Sequence, residues 1–368
     1  MEYRKLPHGN EMISVLGLGA GQLGDASESE IIKTYKLALD NGINFFDLCA
    51  VNKKLFVPFG KAIKGKRDKV YIQVHFGAVF NKDNEYGWSR NFQEIKDTVN
   101  YELSSIGTDY IDFGFLHCVD EMDDYEELVS SGVLDYLKEL KSKGIVHHIG
   151  FSSHTPSVAN KILDTGLVDL FMFSINAGYD YEKGDELGIG STSERLALFK
   201  RCEKDGIAIS VMKPFLGGKL LDKATSPFKV ELSRYQCLAY CLDRPGVITT
   251  VPGVRNSQDL LDLLGFFKAT KEEKDYSIIS SLDSDKVMGS CVYCNHCLPC
   301  PKGLDIGLIN KYYDLALVGD KLAIDHYHKL KINASSCVAC GHCNLRCPFH
   351  VDQKTKMQTI AKYFTKLK

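Results

Sequence analysis

Apolar and polar positions alternate on two length scales along this chain. Short apolar runs recur at 15–19, 43–49, 70–76, 110–117, 147–153, 170–176, 208–214 and 247–253. Amphipathic stretches lie between them, for example 28–40, 92–105, 125–143 and 194–204, with apolar residues near i, i+3 and i+4. Eight strands alternating with helices predict a parallel sheet closed into a (β/α)8 TIM barrel. An open doubly wound sheet is the alternative. It is disfavoured because Gly17, Gly19 and Gly21 only partly imitate the G-x-G-x-x-G turn that should follow its first strand. Ahead of the barrel, residues 3–6 and 12–15 flank His8, Gly9 and Asn10 and read as a hairpin.

The pattern changes after residue 270. Thr270 and Glu273 have capping-box spacing and predict the start of a linker helix. Within 304–330, Ile306, Ile309, Leu315, Leu317, Leu322 and Ile324 fall at helical spacing, broken at Gly319 and Asp320. Two helices are expected there. The boundary is placed near 280–290, giving a barrel over 1–280 and a small helical domain over 281–368.

That second region carries the most restrictive chemistry in the chain. Cys291, Cys294 and Cys297 form a C-x2-C-x2-C run, followed by Cys300 and Pro301; Cys337, Cys340 and Cys343 form another, followed by Cys347 and Pro348. Three thiolates so spaced can ligate three irons of one cubane, and a Cys before Pro serves the other cluster in two-cluster ferredoxins. One [4Fe–4S] cluster is therefore assigned to Cys291, Cys294, Cys297 and Cys347. The second is assigned to Cys337, Cys340, Cys343 and Cys300. Structural zinc has little use for the third cysteine of each run, and a disulfide framework does not suit this arrangement. The helical region reads as ferredoxin-like.

Composition narrows the rest. The 368 residues are 44% hydrophobic and 25% charged with a net charge of −2, an ordinary globular balance. Neither nucleic acid nor an anionic membrane is an expected partner. No apolar run approaches a membrane span, and the N-terminal residues lack the apolar core of a signal peptide. Thirteen cysteines without an export signal suit a reducing cytoplasm.

A barrel places its chemistry at the carboxyl ends of its strands. The polar residues expected there are Asp47, Cys49, His75, His117, Cys118, Ser152, Ser153, His154, Asn176 and Lys213. The stretches around Asp47, His117, His148–His154, Lys213–Gly218 and Pro252–Arg255 resemble the aldo-keto reductases, in order, from about residue 3 to about 267. With its cysteine-rich tail, the chain resembles the branch of that family bearing a helical ferredoxin domain with two [4Fe–4S] clusters. The resemblance implies a barrel, NADPH-dependent carbonyl reduction, and a catalytic Asp, Tyr, Lys and His.

Asp47 and His117 fall on the Asp and the His, but Asn52 stands at the Tyr position and His75 at the Lys position. A carboxamide cannot protonate a developing alkoxide. Tyr86, after the third strand, is a candidate substitute; the alternative is an aromatic packing beside Trp88 over the barrel mouth. Ser152, Ser153, Lys213, Gly253 and Arg255 are the candidate cofactor-binding residues, with Gly253 and Arg255 presenting N–H groups and a guanidinium to a phosphate. Asp262 and Leu263 replace the Glu-Asn pair that the family uses on adenosine, which counts against NADP(H).

The catalytic expectation thus rests on Asp47, His75, His117 and Asn52. The expected function is an iron–sulfur oxidoreductase passing electrons through the clusters to a small organic substrate, with a ferredoxin-type electron donor. The alternatives are a modified NADPH-dependent carbonyl reductase and a non-enzymatic dicluster electron carrier. A metal held by Asp47, Cys49, His75 and His117 is a further expectation, set against a simple His75–Asp47 hydrogen bond.

Overall fold

The computed structural model describes residues 1–49, 52–180, 189–276, 291, 293, 297–317, 321–347 and 349–367. Two compact units partition the chain. The first comprises Met1–Ile175, Ala197–Pro214 and Leu238–Lys274; the second comprises Asn176–Leu196, Phe215–Cys237 and Asp275–Lys368. The boundary expected near 280–290 lies outside the described residues.

In the first unit, β1 (Tyr3–Lys5) and β2 (Met12–Ser14) form the expected antiparallel hairpin. The parallel strands are β3 (Leu18–Gly19), β4 (Phe45–Leu48), β5 (Tyr71–Phe76), β8 (Ile111–Leu116), β9 (Val146–Ser153), β10 (Leu170–Ser174), β11 (Ala208–Met212) and β12 (Val247–Thr250). Between β5 and β8 the chain makes a short antiparallel excursion, β6 (Ala78–Phe80) and β7 (Tyr86–Trp88). The sequence reads as a loop there, with no apolar run to mark it. Backbone hydrogen bonds Gly17 N–Thr250 O (2.8 Å), Thr250 N–Val15 O (3.0 Å) and Gly19 N–Pro252 O (3.1 Å) bring the first strand against the last. A Cβ on Gly19 would sit 2.8 Å from Val251 O, so this seam requires glycine. All eight sequence-predicted strands form, and the fold is the expected (β/α)8 barrel.

The helices between the strands are α1 (Glu28–Asp40), α2 (Phe56–Ile63), α3 (Phe92–Ile106), α4 (Met122–Ser130), α5 (Val133–Ser142), α6 (Pro156–Leu163), α7 (Thr192–Asp205), α8 (Arg234–Leu242) and, after β12, α9 (Ser257–Leu264). Ser27 caps α1, while Asn91 caps α3 and Gly107 ends it in the left-handed region. Each strand's apolar run reflects burial on two faces. Phe45, Phe113, Phe115, Leu170, Met172 and Ala208 pack in one buried cluster with Leu6 and Ile13 of the hairpin, so the hairpin contributes to the same core.

The second unit contains α10 (Ile306–Leu317) and α11 (Lys321–Lys329), matching the two helices expected between the cysteine runs, followed by α12 (His342–Arg346) and α13 (Gln353–Thr365). Ile306, Ile309, Leu315, Tyr327, Ile360 and Phe364 are buried together, with the Tyr327 and Phe364 rings stacked 3.6 Å apart. Thr270 and Glu273 exchange the expected capping hydrogen bonds, 2.7 and 3.2 Å, around a turn. The residues beyond 276, where the linker helix should continue, lie outside the described set. No helix among the described residues is long and apolar enough to cross a membrane.

Candidate active site

Side chains two apart on a strand share a face. On β5 this points Gln73 and His75 the same way, and parallel register sets Gln73 beside Asp47 and His75 beside Phe115. His75 Nε2 lies 2.8 Å from Asp47 Oδ1, and Gln73 Nε2 donates to the same oxygen at 2.9 Å. Ser210 Oγ donates to Gln73 Oε1 at 3.4 Å. His117 follows β8; its Nδ1 lies 3.1 Å from His75 Nδ1. Its other nitrogen, Nε2, lies 2.9 Å from the Tyr86 hydroxyl. His75, His117, Gln73 and Tyr86 are all buried.

The order Tyr86–His117–His75–Asp47 is thus one continuous hydrogen-bonded line. An ionised carboxylate only accepts, so His75 Nε2 donates to Asp47 and a neutral His75 keeps its lone pair on Nδ1. That lone pair faces His117 Nδ1. The 3.1 Å gap can hold a shared proton or a shared cation.

Tyr86 owes its place to the β6–β7 excursion, which Arg90 secures. Arg90 Nη1 donates to His117 O at 2.8 Å and Nη2 to Cys118 O at 3.0 Å, while the guanidinium lies 4.1 Å over the Trp88 ring. Asp124 pairs with it at 3.4 Å. Asn52 stands at the position after β4 where a tyrosine is sought, and the tyrosine on this line comes from a later loop. Tyr86 does lie beside Trp88 in sequence, but its hydroxyl reaches the histidine.

Asn52 does not join this line. Its carboxamide oxygen accepts from Lys54 N at 2.9 Å and caps a short 3-10 turn. The contact described for its side chain is this local cap. Gln73 was missed by sequence reasoning. Two polar residues at i and i+2 on an otherwise apolar strand were the available signal.

A second polar cluster sits at the ends of β8, β9 and β11. Asp120 Oδ2 pairs with His154 Nδ1 at 2.9 Å, Lys213 Nζ lies 3.1 Å from His154 Nε2, and Ser153 Oγ donates to Asp120 Oδ1 at 3.2 Å. Ser152 Oγ accepts from Cys118 N at 2.8 Å. Burial, with Asp120 beside it, pushes the Cys118 thiol well above its ordinary range. Ser152, Ser153 and Lys213 therefore converge as expected. Gly253 and Arg255 lie on a separate segment leading into α9.

That segment is furnished with acid. Glu30 Oε1 accepts from Ser257 N at 2.7 Å, and Asp259 binds Arg255 through Nε at 2.8 Å and Nη2 at 3.1 Å, also accepting from Arg255 N. Hydrogen bonding to Ser257 holds the Glu30 carboxyl below its usual value. First-turn N–H groups and a guanidinium suit a phosphate, but here carboxylates already hold them.

In the second unit, Cys300, Cys337, Cys340 and Cys343 line one pocket together with Lys302, Gly341, His342 and Met357. These are the four ligands assigned to the second cluster. Cys337 Sγ accepts from Ala339 N at 3.4 Å. Ala339 and Tyr293 occupy equivalent places in the two C-x-x-C segments, and both have positive φ, 55° and 61°. Such backbone is costly for a side-chain-bearing residue. Of the other set, Cys297 and Cys347 are buried and Cys291 is half-buried; Cys294 lies outside the described residues. No disulfide joins the described cysteines.

The profile of the Aldo/keto reductase family matches residues 15–236. The chain belongs to the aldo/keto reductase family. An uncharacterised oxidoreductase of Bacillus subtilis, YqkF, is 27% identical over 179 residues, covering 47% of this chain and 56% of its own. The aligned part is thus little more than half of that relative. L-galactose dehydrogenase of Arabidopsis thaliana is 22% identical over 305 residues, covering 77% of this chain and 90% of its own. Among solved structures, aldo-keto reductase AKR11C1 of Bacillus halodurans in its holo form superposes with a TM-score of 0.61 at 22% identity. It spans 77% of this chain and 97% of that one. The matched family region ends at residue 236, ahead of both cysteine runs.

Proposed function

We infer that the chain is an aldo-keto-reductase-type oxidoreductase that reduces a small carbonyl-containing substrate at the barrel mouth. Tyr86 is the proton donor, and the electrons come from a one-electron donor rather than from NADPH. The observation carrying this reading is the placement of the Tyr86 hydroxyl on His117, which restores a phenolic acid that position 52 lacks. The nucleotide seat does not fit NADP(H). Glu30 and Asp259 present negative charge to the N–H groups and the guanidinium that a phosphate would need.

The tail fits iron–sulfur clusters: four cysteines separated by up to a full helix pair line one pocket, with a backbone N–H on one sulfur. Cys337, Cys340, Cys343 and Cys300 would hold one [4Fe–4S] cluster, and Cys291, Cys294, Cys297 and Cys347 the other. When bound, such clusters supply one-electron transfer at low potential. Reducing a carbonyl to an alcohol takes two electrons and two protons. Tyr86 gives the proton that quenches the developing alkoxide, the proton that forms the new C–H bond comes from solvent, and His117, held by Arg90 through its own carbonyl, orients the phenol. The expected partners are a small-molecule substrate and a ferredoxin-like reductant, with neither nucleic acid nor membrane.

The test is turnover of a panel of small aldehydes and ketones by anaerobic, iron- and sulfide-reconstituted protein. Reduced methyl viologen and NADPH are compared as donors. Viologen-driven reduction that falls roughly 10²–10⁴-fold in Tyr86→Phe, the range for a positioned acid, and is little changed in Asn52→Ala supports the reading. Efficient NADPH turnover by cluster-free protein would return the chain to conventional carbonyl reduction. Reducible clusters with no turnover from either donor would make it an electron carrier.

A further inference from the structure

The two histidines of the site face each other through like atoms. His75 Nδ1 and His117 Nδ1 lie 3.1 Å apart with their rings nearly perpendicular, 85°. Cys49, just past the end of β4, brings its sulfur into the same space: one ligating atom each from Cys49, His75 and His117 lie within 4.8 Å of one another. In a tetrahedral zinc site, bond lengths of about 2.0–2.1 Å to nitrogen and about 2.3 Å to sulfur put nitrogens about 3.3 Å apart and nitrogen from sulfur about 3.6 Å. The nitrogen pair already has close to that spacing. The sulfur lies within 4.8 Å of a nitrogen of each ring, so it moves inward when it ligates.

The outer nitrogens complete the pattern. A histidine that ligates a metal donates its other N–H to a carboxylate, carbonyl or similar oxygen, which fixes ring and tautomer. His75 Nε2 is 2.8 Å from Asp47, and His117 Nε2 is 2.9 Å from the Tyr86 hydroxyl. Asp47, which the sequence offers as a fourth ligand, holds the far side of the His75 ring instead. Gln73 Nε2 and His75 Nε2 both contact the same carboxylate oxygen, which fixes that carboxylate in turn.

We propose that His75 and His117, each through Nδ1, and Cys49 through its thiolate form a three-ligand site for a borderline divalent transition cation such as zinc, with the remaining position open at the barrel mouth. Two imidazole nitrogens and one thiolate suit zinc rather than a hard cation, and three protein ligands leave the position that a substrate oxygen could take. The role of the site, unlike its occupancy, rests on the reading of Tyr86 as the proton donor.

That role follows from tautomers. If the gap between the two Nδ1 atoms held only a shared proton, donated by His117, then His117 Nε2 would accept from Tyr86 and consume the phenol's own hydrogen. A cation on both Nδ1 atoms makes His117 Nε2 a donor. It then donates to the phenolic oxygen, leaves the phenol's O–H to point at substrate, and stabilises the phenolate left behind. The cation also supplies the fixed positive charge that disappears with a histidine at the lysine position.

Occupancy is read without turnover. The full-length protein, its Cys49→Ser variant and its His75→Ala/His117→Ala double variant are reconstituted identically with iron and sulfide, exposed to zinc or cobalt(II), desalted and analysed for metal. All three retain the tail cysteines, so metal lodged there cancels between them. The wild type should hold one more zinc per chain than the double variant. Its cobalt form should show a thiolate-to-cobalt charge-transfer band that Cys49→Ser loses. Cys49 is only half-buried, so that variant keeps the test open if the double variant does not fold. Equal metal content in wild type and folded double variant, or a cobalt spectrum unchanged by Cys49→Ser, overturns the proposal. If the extra metal binds but its removal leaves turnover untouched while Tyr86→Phe abolishes it, the tautomer role falls and the acid assignment survives.

Discussion

Glu102 offers a quantitative test of how the barrel wall is built. It lies on the face of α3 that also carries Ile95, Thr98, Val99 and Ile106, the stripe that packs inward. The residue is 0% exposed, and neither carboxyl oxygen has a hydrogen-bond partner among the described residues. Burial raises its pKa well above the ordinary 4.5. For an acid raised in the folded state, the penalty is absent below the unfolded pKa and grows as pH rises towards the folded one. A buried polar group left without a partner costs about 1–3 kcal/mol, and the titration penalty adds to this as pH rises above 4.5. Glu102→Met removes the titrating group at nearly constant volume. The variant should melt roughly 2–12 °C higher than wild type at pH 7, taking about 1–3 kcal/mol for the unpartnered group and about 2–4 °C per kcal/mol for a unit of this size. The gain should shrink steadily towards pH 4.5. Glu102→Gln should abolish the pH dependence with a smaller gain, since an unpartnered amide stays buried. Melting followed by circular dichroism from pH 4.5 to 8 decides the matter. A Glu102→Met protein that is no more stable than wild type at pH 7, or whose advantage does not vary with pH, would show that the carboxyl has a partner and refute the reasoning.

Other expectations follow from the same contacts. His148 lies between Glu11 (3.0 Å) and Asp169 (3.2 Å); burial opposes its charging, but the hydrogen bonds to Asp169 and Glu11 outweigh this and raise its pKa above 6.5. Its stabilisation is therefore complete below pH 6.5 and lost as pH climbs through the raised value, so His148→Ala should cost about 1.5–3 kcal/mol at pH 6 and distinctly less at pH 9 by urea unfolding. Glu30→Gln with Asp259→Asn should tighten NADPH binding roughly tenfold or more, at about 1 kcal/mol per carboxylate removed, read by nucleotide fluorescence; no change would clear the two acids of blame for the poor fit. Reconstituted protein should carry about eight irons per chain, two cubanes. Cys300→Ser should disturb the cluster of the Cys337 run and spare its own, and the reverse result in electron paramagnetic resonance would break the crossed assignment.

The barrel was legible in the chain because a strand buried on both faces must be apolar throughout, and eight such runs separated by helical periodicity leave few alternatives. The spacing of the cysteines likewise constrained their chemistry, since three closely spaced ligands can only converge locally, and Cys300 does meet the distant Cys337 run in one pocket. What the linear order concealed was contact across space. Asn52 occupies the position where a tyrosine would be sought, yet it caps a turn, while Tyr86 arrives from a β6–β7 excursion that no periodicity announced. Gln73 is one of two polar residues two apart on β5, and only register sets it beside Asp47. The facing Nδ1 atoms of His75 and His117 belong to residues 42 positions apart, and only the ring orientations turn them toward one another. Burial pattern is a property of the chain; which polar atoms confront one another inside the barrel is set by strand register and rotamer, and only the tertiary structure decides it.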